Sequence, residues 1–102
     1  MALIAACGSS ESPSSAARKF YAAVEKNDAK AMAQVATPET VQMMAMFGEK
    51  AAGMVAANGK IKGTTEEIDG DTAVVTLTFE NGETENLDLI KVNGKWKVSI
   101  DK

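Results

Sequence analysis

The chain has 102 residues, room for one domain with a single hydrophobic core and not for two. Its net charge is -3 and no basic cluster stands out, which argues against nucleic acid as a partner, because phosphate binding needs a concentrated positive surface. Histidine is absent and cysteine occurs once, so the commonest general base and pH switch, an internal disulfide and every multi-cysteine metal pattern are excluded; no metal and no cofactor is expected.

At the start of the chain, Leu3-Ile4-Ala5-Ala6-Cys7 is an apolar stretch with small residues just before a cysteine, followed by Gly8-Ser9-Ser10. This resembles the bacterial lipobox, in which small residues let a signal peptidase reach the backbone and the cysteine thiol receives a diacylglycerol. The resemblance makes Cys7 a lipidation site and implies a lipid-anchored address in the bacterial cell envelope. The lack of an aspartate after Cys7 fits sorting to the outer membrane. A positively charged start and most of the hydrophobic run of a complete export signal are missing. Residues 1–13 are therefore expected to be a shortened lipoprotein signal and a flexible tether, with the folded domain over residues 14–102. The bland alternative is a buried cysteine in an ordinary apolar segment. Gly8 to Ser15 holds five serines, a glycine and a proline, the composition of a tether. No later stretch is long and apolar enough to span a bilayer, so the membrane contact expected is the lipid alone.

From Ser14 or Ser15, a candidate N-cap, Ala16, Phe20, Ala23 and Val24 recur at helical spacing with Arg18, Lys19 and Lys26 on the other side. This predicts a first helix ending near Lys26. Asn27-Asp28 offers a turn and a new cap for a short second helix burying Met32, Val35 and Ala36. Thr37-Pro38-Glu39 starts a third helix with a cap, a proline at the first helical position and an acid in the first turn. Its stripe of Met43, Phe47, Ala51, Met54 and Val55 is interrupted by Gly48 and Gly53, each costing about 1 kcal/mol in a helix interior, so a kink or break is expected near one of them. Asn58-Gly59 reads as the closing cap.

Beyond Gly59 the residues become β-branched and alternating, punctuated by Asp69-Gly70, Asn81-Gly82 and Asn93-Gly94. That pattern predicts a four-stranded antiparallel meander with strands over Lys60–Ile68, Thr72–Phe79, Glu83–Val92 and Lys95–Ile100. The fold class is α+β, three N-terminal helices packed on this sheet. Ala73, Val75, Leu77 and Phe79 meet Leu87 and Leu89 on one face only if Glu80-Asn81-Gly82 is a three-residue loop with a glycine bulge. Asn93-Gly94 should be a two-residue turn pairing Leu89 with Val98 and Leu87 with Ile100. The inner face is then Val75, Leu77, Leu87, Leu89, Trp96, Val98 and Ile100. Val74, Ile90 and Val92 are left outside, either as scattered surface residues or as an interface for a second copy or a covering tail.

Phe20-Tyr21-Ala22-Ala23-Val24 followed by Asp28, with the closing Asn93-Gly94-Lys95-Trp96-Lys97-Val98, resembles an uncharacterised family of small bacterial lipoproteins. That family has the nuclear-transport-factor-2-like (NTF2-like) fold, a cystatin-like roll whose curved sheet wraps helices around a cone-shaped pocket. The superfamily includes isomerase-like and dehydratase-like enzymes, but the histidine-bearing patterns that would identify a catalytic residue are absent here, and none is assigned.

Candidate pocket-lining residues are Tyr21, Met43, Phe47, Met54 and Trp96, each of which also has a plain reading as core packing. Met32, Met43, Met44, Met46 and Met54 form either an adaptable binding surface or, as the helical spacing favours, a loosely packed core. Between Gly63 and Ile90 stand eight acids and no lysine or arginine. Asp69-Gly70-Asp71 within that run lacks the ligand count of a calcium site. Glu83 and Glu85 fall on the inner face near Phe79 and Leu77, where a carboxylate can act as acid or base, or simply project into water.

The reading favoured is a non-catalytic envelope lipoprotein domain that binds a protein or a small apolar ligand in the roll. A small isomerase-like or dehydratase-like enzyme and a homodimeric structural unit are the alternatives.

Overall fold

A computed structural model of the chain describes residues 12–100; Cys7 and the rest of the lipobox-like segment lie outside the described residues. Helix α1 (Pro13–Lys26) is followed by α2 (Ala29–Val35), α3 (Pro38–Phe47) and α4 (Glu49–Asn58), then by strands β1 (Ile61–Asp69), β2 (Thr72–Phe79), β3 (Thr84–Val92) and β4 (Lys95–Val98). The strands form one antiparallel sheet in sequence order. This is the α+β architecture that the change from helical to alternating periodicity predicts.

Helix α1 begins two residues earlier than Ser14 would allow. Ser12 is the cap, its side chain accepting from the Ser15 N–H at 3.1 Å, because Pro13 has the preset φ and the missing N–H that suit the first helical position. Ser14, relieved of capping, fastens the first turn of α1 to β1, its N–H (3.1 Å) and hydroxyl (2.5 Å) both donating to Glu66 Oε1. The helix ends at Asn27 in the left-handed conformation (φ 55°), whose N–H reaches back to Ala23 and Val24. Asp28 caps α2 through the Ala31 N–H (3.2 Å), and Lys97 closes its far end by donating to the Gln34 carbonyl at 2.8 Å. Ala36 is extended and bridges Val98 in parallel, through Thr37 N–H to Val98 O at 3.0 Å.

The expected third helix is two helices, making four among the described residues. Gly48 sits at φ 49°, ψ -121°, a region side chains disfavour, so α3 stops there and α4 restarts in a new direction, whereas Gly53 lies inside α4 without breaking it. The core reading of the methionines holds for some of them and fails for Met46 and Met54. Met32 is buried and Met44 packs against the core, but Met46 projects from α3 into solvent, 84% exposed, and Met54 is 66% exposed because α4 packs on α1 and presents little of its surface to the sheet. At the α4–β1 junction Gly59 (φ 82°) permits a close approach: a Cβ there would stand 2.9 Å from Glu80 Oε1, the atom that accepts the Lys60 N–H at 3.0 Å.

The turn chemistry holds in the sheet. Phe79 N–H donates to Glu83 O and Gly82 N–H to Phe79 O, both at 2.9 Å, closing a three-residue loop that pairs Val75 with Leu87 and Ala73 with Leu89. Asn93 and Gly94, at φ 52° and 81°, make the two-residue turn that pairs Leu89 with Val98. The predicted pairing of Leu87 with Ile100 does not form. Strand β4 ends at Val98, and after Ser99 donates to Asp88 O the Ile100 N–H is captured by Thr40 Oγ1 at 3.0 Å. Thr40 is wholly buried and held by the Thr37 hydroxyl at 2.8 Å, so it lifts the chain off the sheet edge.

The core fills the concave side. Val75, Leu77, Phe79, Leu89 and Val98 pack against Ala16, Ala17, Phe20, Ala23 and Val24 of α1, with Met32 and Val35 beside them. The two alanines keep the first turns of α1 close to the strands. Its larger residues, further along, stand where the helix and sheet diverge.

Candidate functional site

That divergence leaves a cavity of about 310 Å³ between α1, the α3–α4 pair and the end of the sheet. Helix α1 contributes Phe20 and Val24, one turn apart on its buried face, and the half-buried Tyr21 from the edge of that face. The bend at Gly48 brings Met44 and Phe47 from α3, and Ala51, Met54 and Val55 from α4, over the opening. Ile100 completes the apolar lining from the place to which Thr40 has drawn it.

Four lining residues carry polar groups: Tyr21, Lys50, Asn58 and Glu85. Tyr21 stands edge-on to Phe20 (centroids 5.8 Å apart) and to Phe79 (5.5 Å), which fixes its ring. Its hydroxyl makes no hydrogen bond to the protein among the described residues. Burial first, and the Glu85 carboxylate second, push its pKa up to about 12. At neutral pH it is therefore a protonated donor and acceptor rather than a base. Glu85 pairs with Leu77 across the ladder, which puts it on the concave face, and neither it nor Lys50 has an ion-pair partner among the described residues. Asn58 is partly engaged, its Oδ1 accepting from Asn81 Nδ2 at 3.1 Å.

Of the pocket residues proposed from sequence, Tyr21, Phe47 and Met54 line this cavity. Met43 does not; its neighbour Met44 takes the inward position, a rotation of one residue around α3. Trp96 is buried in the core away from the cavity, with Lys91 Nζ 5.1 Å from its ring centroid in a cation–π contact. Glu83 serves the loop, its N–H donating to Asn81 Oδ1 at 2.9 Å, while Glu85 enters the lining. Ile100, Lys50 and Asn58 are lining residues that sequence reasoning does not find; only the hydrophobic character of Ile100 signals an inward role, and strand alternation points it to the sheet instead.

Val74, Ile90 and Val92 lie on the convex face, Val74 and Val92 each more than a third exposed. Val74 and Ile90 border a shallow groove flanked by Glu67, Asp69 and Asp88, and Val92 borders a second beside Lys97 and Pro38. No cluster of three or more potential metal ligands occurs among the described residues. No described helix is long and apolar enough to cross a membrane.

No protein-family model matches the chain, and no curated protein matches it by sequence. Among solved structures it is similar to the 2.00 Å crystal structure of a Campylobacter jejuni protein described as a candidate NTF2-like transpeptidase. The match has a TM-score of 0.63 at 19% identity and covers 89% of this chain and all of the other. The chain thus has an NTF2-like fold. At that identity the likeness extends to the fold and carries no activity with it.

Proposed function

We propose that this chain is a non-catalytic binding domain that holds a small apolar molecule in its concave cavity and is carried on the bacterial cell envelope by a lipid on Cys7. The observation that carries the binding half is the cavity itself: eight apolar side chains around about 310 Å³, two of which, Phe47 on α3 and Met54 on α4, are solvent-exposed. Pockets of this kind, apolar with a few polar groups for orientation, are how small-molecule sites are built. Flexible methionines adapt to ligands of varied shape. The envelope half is supported by the lipobox-like Leu3 to Cys7 and the serine-rich residues after it.

The direct test is titration with the fluorescent apolar probe N-phenyl-1-naphthylamine. Saturable one-to-one binding is expected, abolished in an Ala51→Trp variant that fills the cavity while the circular dichroism spectrum is retained. A folded wild-type protein that leaves the probe dark would end the proposal. For the anchor, labelling of bacteria with radioactive palmitate should tag the wild-type protein and not Cys7→Ser.

One observation favours a second reading, a small isomerase-like or dehydratase-like enzyme: Tyr21 and Glu85 converge on the same cavity, as a donor and a base would. Identical turnover by the wild type and Glu85→Gln on any substrate found would remove it.

A further inference from the structure

Strand β1 forms one border of the sheet: it pairs with β2 on one side, and no described strand lies on the other. Every residue from Thr65 to Asp69 is exposed, whereas β2 buries every second one. Ile68 is 54% exposed although it pairs with the buried Ala73 on the concave side. An edge strand turns the N–H and C=O of every second residue away from its single neighbour, so the nine residues of β1 carry a row of open backbone groups. Proteins ordinarily blunt such an edge with charges or a bulge. Strand β1 has both, and both are placed to suit a second copy of itself.

The charges are segregated along the strand. Lys60 and Lys62 stand at its start, and Glu66, Glu67 and Asp69 at its end. Lys60 belongs to the ladder, its carbonyl accepting the Glu80 N–H at 2.9 Å. An antiparallel copy lays the positive start of one strand beside the negative end of the other, twice over, while a parallel copy matches like with like. The bulge, whose extra residue is Lys62, sets the faces. Plain alternation would turn Ile61 and Ile68 to opposite sides, but the inserted residue puts both on the concave side, where they pair with Phe79 and Ala73. By the same count Lys60 and Asp69 share the convex side.

We infer that β1 is a self-complementary seam at which two copies of this chain join, antiparallel and edge to edge, into one continuous sheet with its two-fold axis at Thr65.

About that axis Ile61 meets Ile68 and Lys60 meets Asp69, each pair occurring twice. Glu67 falls opposite Gly63, beside Lys62. Glu66, held by Ser14 of its own chain, lies opposite Thr64 and takes no part in the charge pairing. Other centres fit worse. At Glu66 or Glu67 a glutamate faces its own copy, at Gly63 the two lysine-bearing ends converge, and at Thr64 the apolar Ile61 is set against Glu66. The side chains of Lys60, Lys62, Glu67 and Asp69 have no ion-pair partner within the chain among the described residues, so the seam takes none from the monomer. Helix α4, which leads into β1, packs on α1 rather than along this edge. A seam one strand long is a small contact, and such contacts give reversible dimers rather than permanent ones. Neither the cavity nor the lipid anchor is needed for it.

Sedimentation equilibrium of the full-length protein under reducing conditions tests the seam. A reversible monomer–dimer equilibrium is expected, weakening as salt rises from about 0.05 to 0.5 M because the ion pairs are screened. Lys60→Glu with Lys62→Glu, and separately Glu67→Lys with Asp69→Lys, should each raise the dissociation constant by about tenfold or more, since the facing charges become alike. Mixed in equal amounts, the two double variants should associate again, a rescue that misfolding of either would not give. In a Cys7→Ser background, Thr65→Cys should form a disulfide-linked dimer on mild oxidation, because residues facing each other across antiparallel strands lie about 4.5–5.5 Å apart at Cα, within disulfide reach. A full-length protein that stays monomeric up to about 1 mM overturns the seam, as it would if residues 1–11 covered the edge instead. So does a dimer that Val74→Glu on the convex face separates while the charge variants associate like the wild type. Mixed variants that remain monomers, or a dimer that Thr65→Cys fails to link, overturn it as well.

Discussion

Tyr21 is the only tyrosine in the chain, so its ionisation can be followed by ultraviolet absorbance without ambiguity. The midpoint should lie near 12, and removing the neighbouring charge with Glu85→Gln should move it downward, with burial keeping it above the ordinary 10. Because the folded-state value is raised, the contribution of Tyr21 to stability is complete below pH 10. It is lost as the pH rises towards 12, where the unfolded chain has already released its proton. Urea midpoints should therefore fall between pH 10 and 12 in the wild type, and less so in Tyr21→Phe. Thr40 illustrates a different kind of residue. Its wholly buried hydroxyl pairs with Thr37 and receives the Ile100 N–H, so Thr40→Val should cost about 1–3 kcal/mol in denaturant unfolding by leaving those donors without a partner. Nothing near Thr40 in the sequence announces this. Its partner is 60 positions away, which is why Ile100 reads from sequence as a continuing strand residue.

Elements whose boundaries are set by local chemistry are the readable ones. Asp28, Thr37-Pro38 and Asn93-Gly94 each impose a backbone conformation on their own neighbourhood, and each stands where its chemistry predicts. The three-residue loop after Phe79 is readable for another reason: only that length puts two apolar sets on one side of the sheet. Helices α3 and α4 are less so. Met43, Met44, Met46 and Phe47 crowd apolar side chains around the whole of α3, leaving the inward face undefined by sequence alone. The glycines within this pair make opposite predictions. Gly48→Ala must hold a side chain at φ 49°, ψ -121°, and should destabilise by about 1–3 kcal/mol. Gly53 has ordinary helical geometry and open space where a Cβ would go, so Gly53→Ala should stabilise by about 0.5–1 kcal/mol. Urea unfolding of the two variants checks both signs.

For the molecule as a whole, a ligand that occupies the cavity adds its binding free energy to folding, about 2.7 kcal/mol at one hundred times its dissociation constant. A saturating apolar ligand should accordingly raise the melting temperature by about 10 °C or more for a domain of this size. Ala51→Trp should abolish that increment, which scanning calorimetry with and without ligand would show. The concave core is predictable because strand alternation fixes which side chains share a side. The cavity is not, since it depends on where α1 and the sheet part company and on the direction of the bend over the gap. One last consequence comes from the way α1 lies along the sheet. Ser14 is tied to Glu66, whereas Tyr21, about 10 Å further along the helix, meets Phe79, which lies near Ile61 and about 16 Å down the strand from Glu66. The described domain therefore has a root beside Ser12 and, further along α1, a mouth at which the cavity proposed to hold a ligand opens. A leash on the N-terminal side would leave the mouth facing the open compartment, so that loading and release would proceed without the domain ever letting go of the surface that holds it.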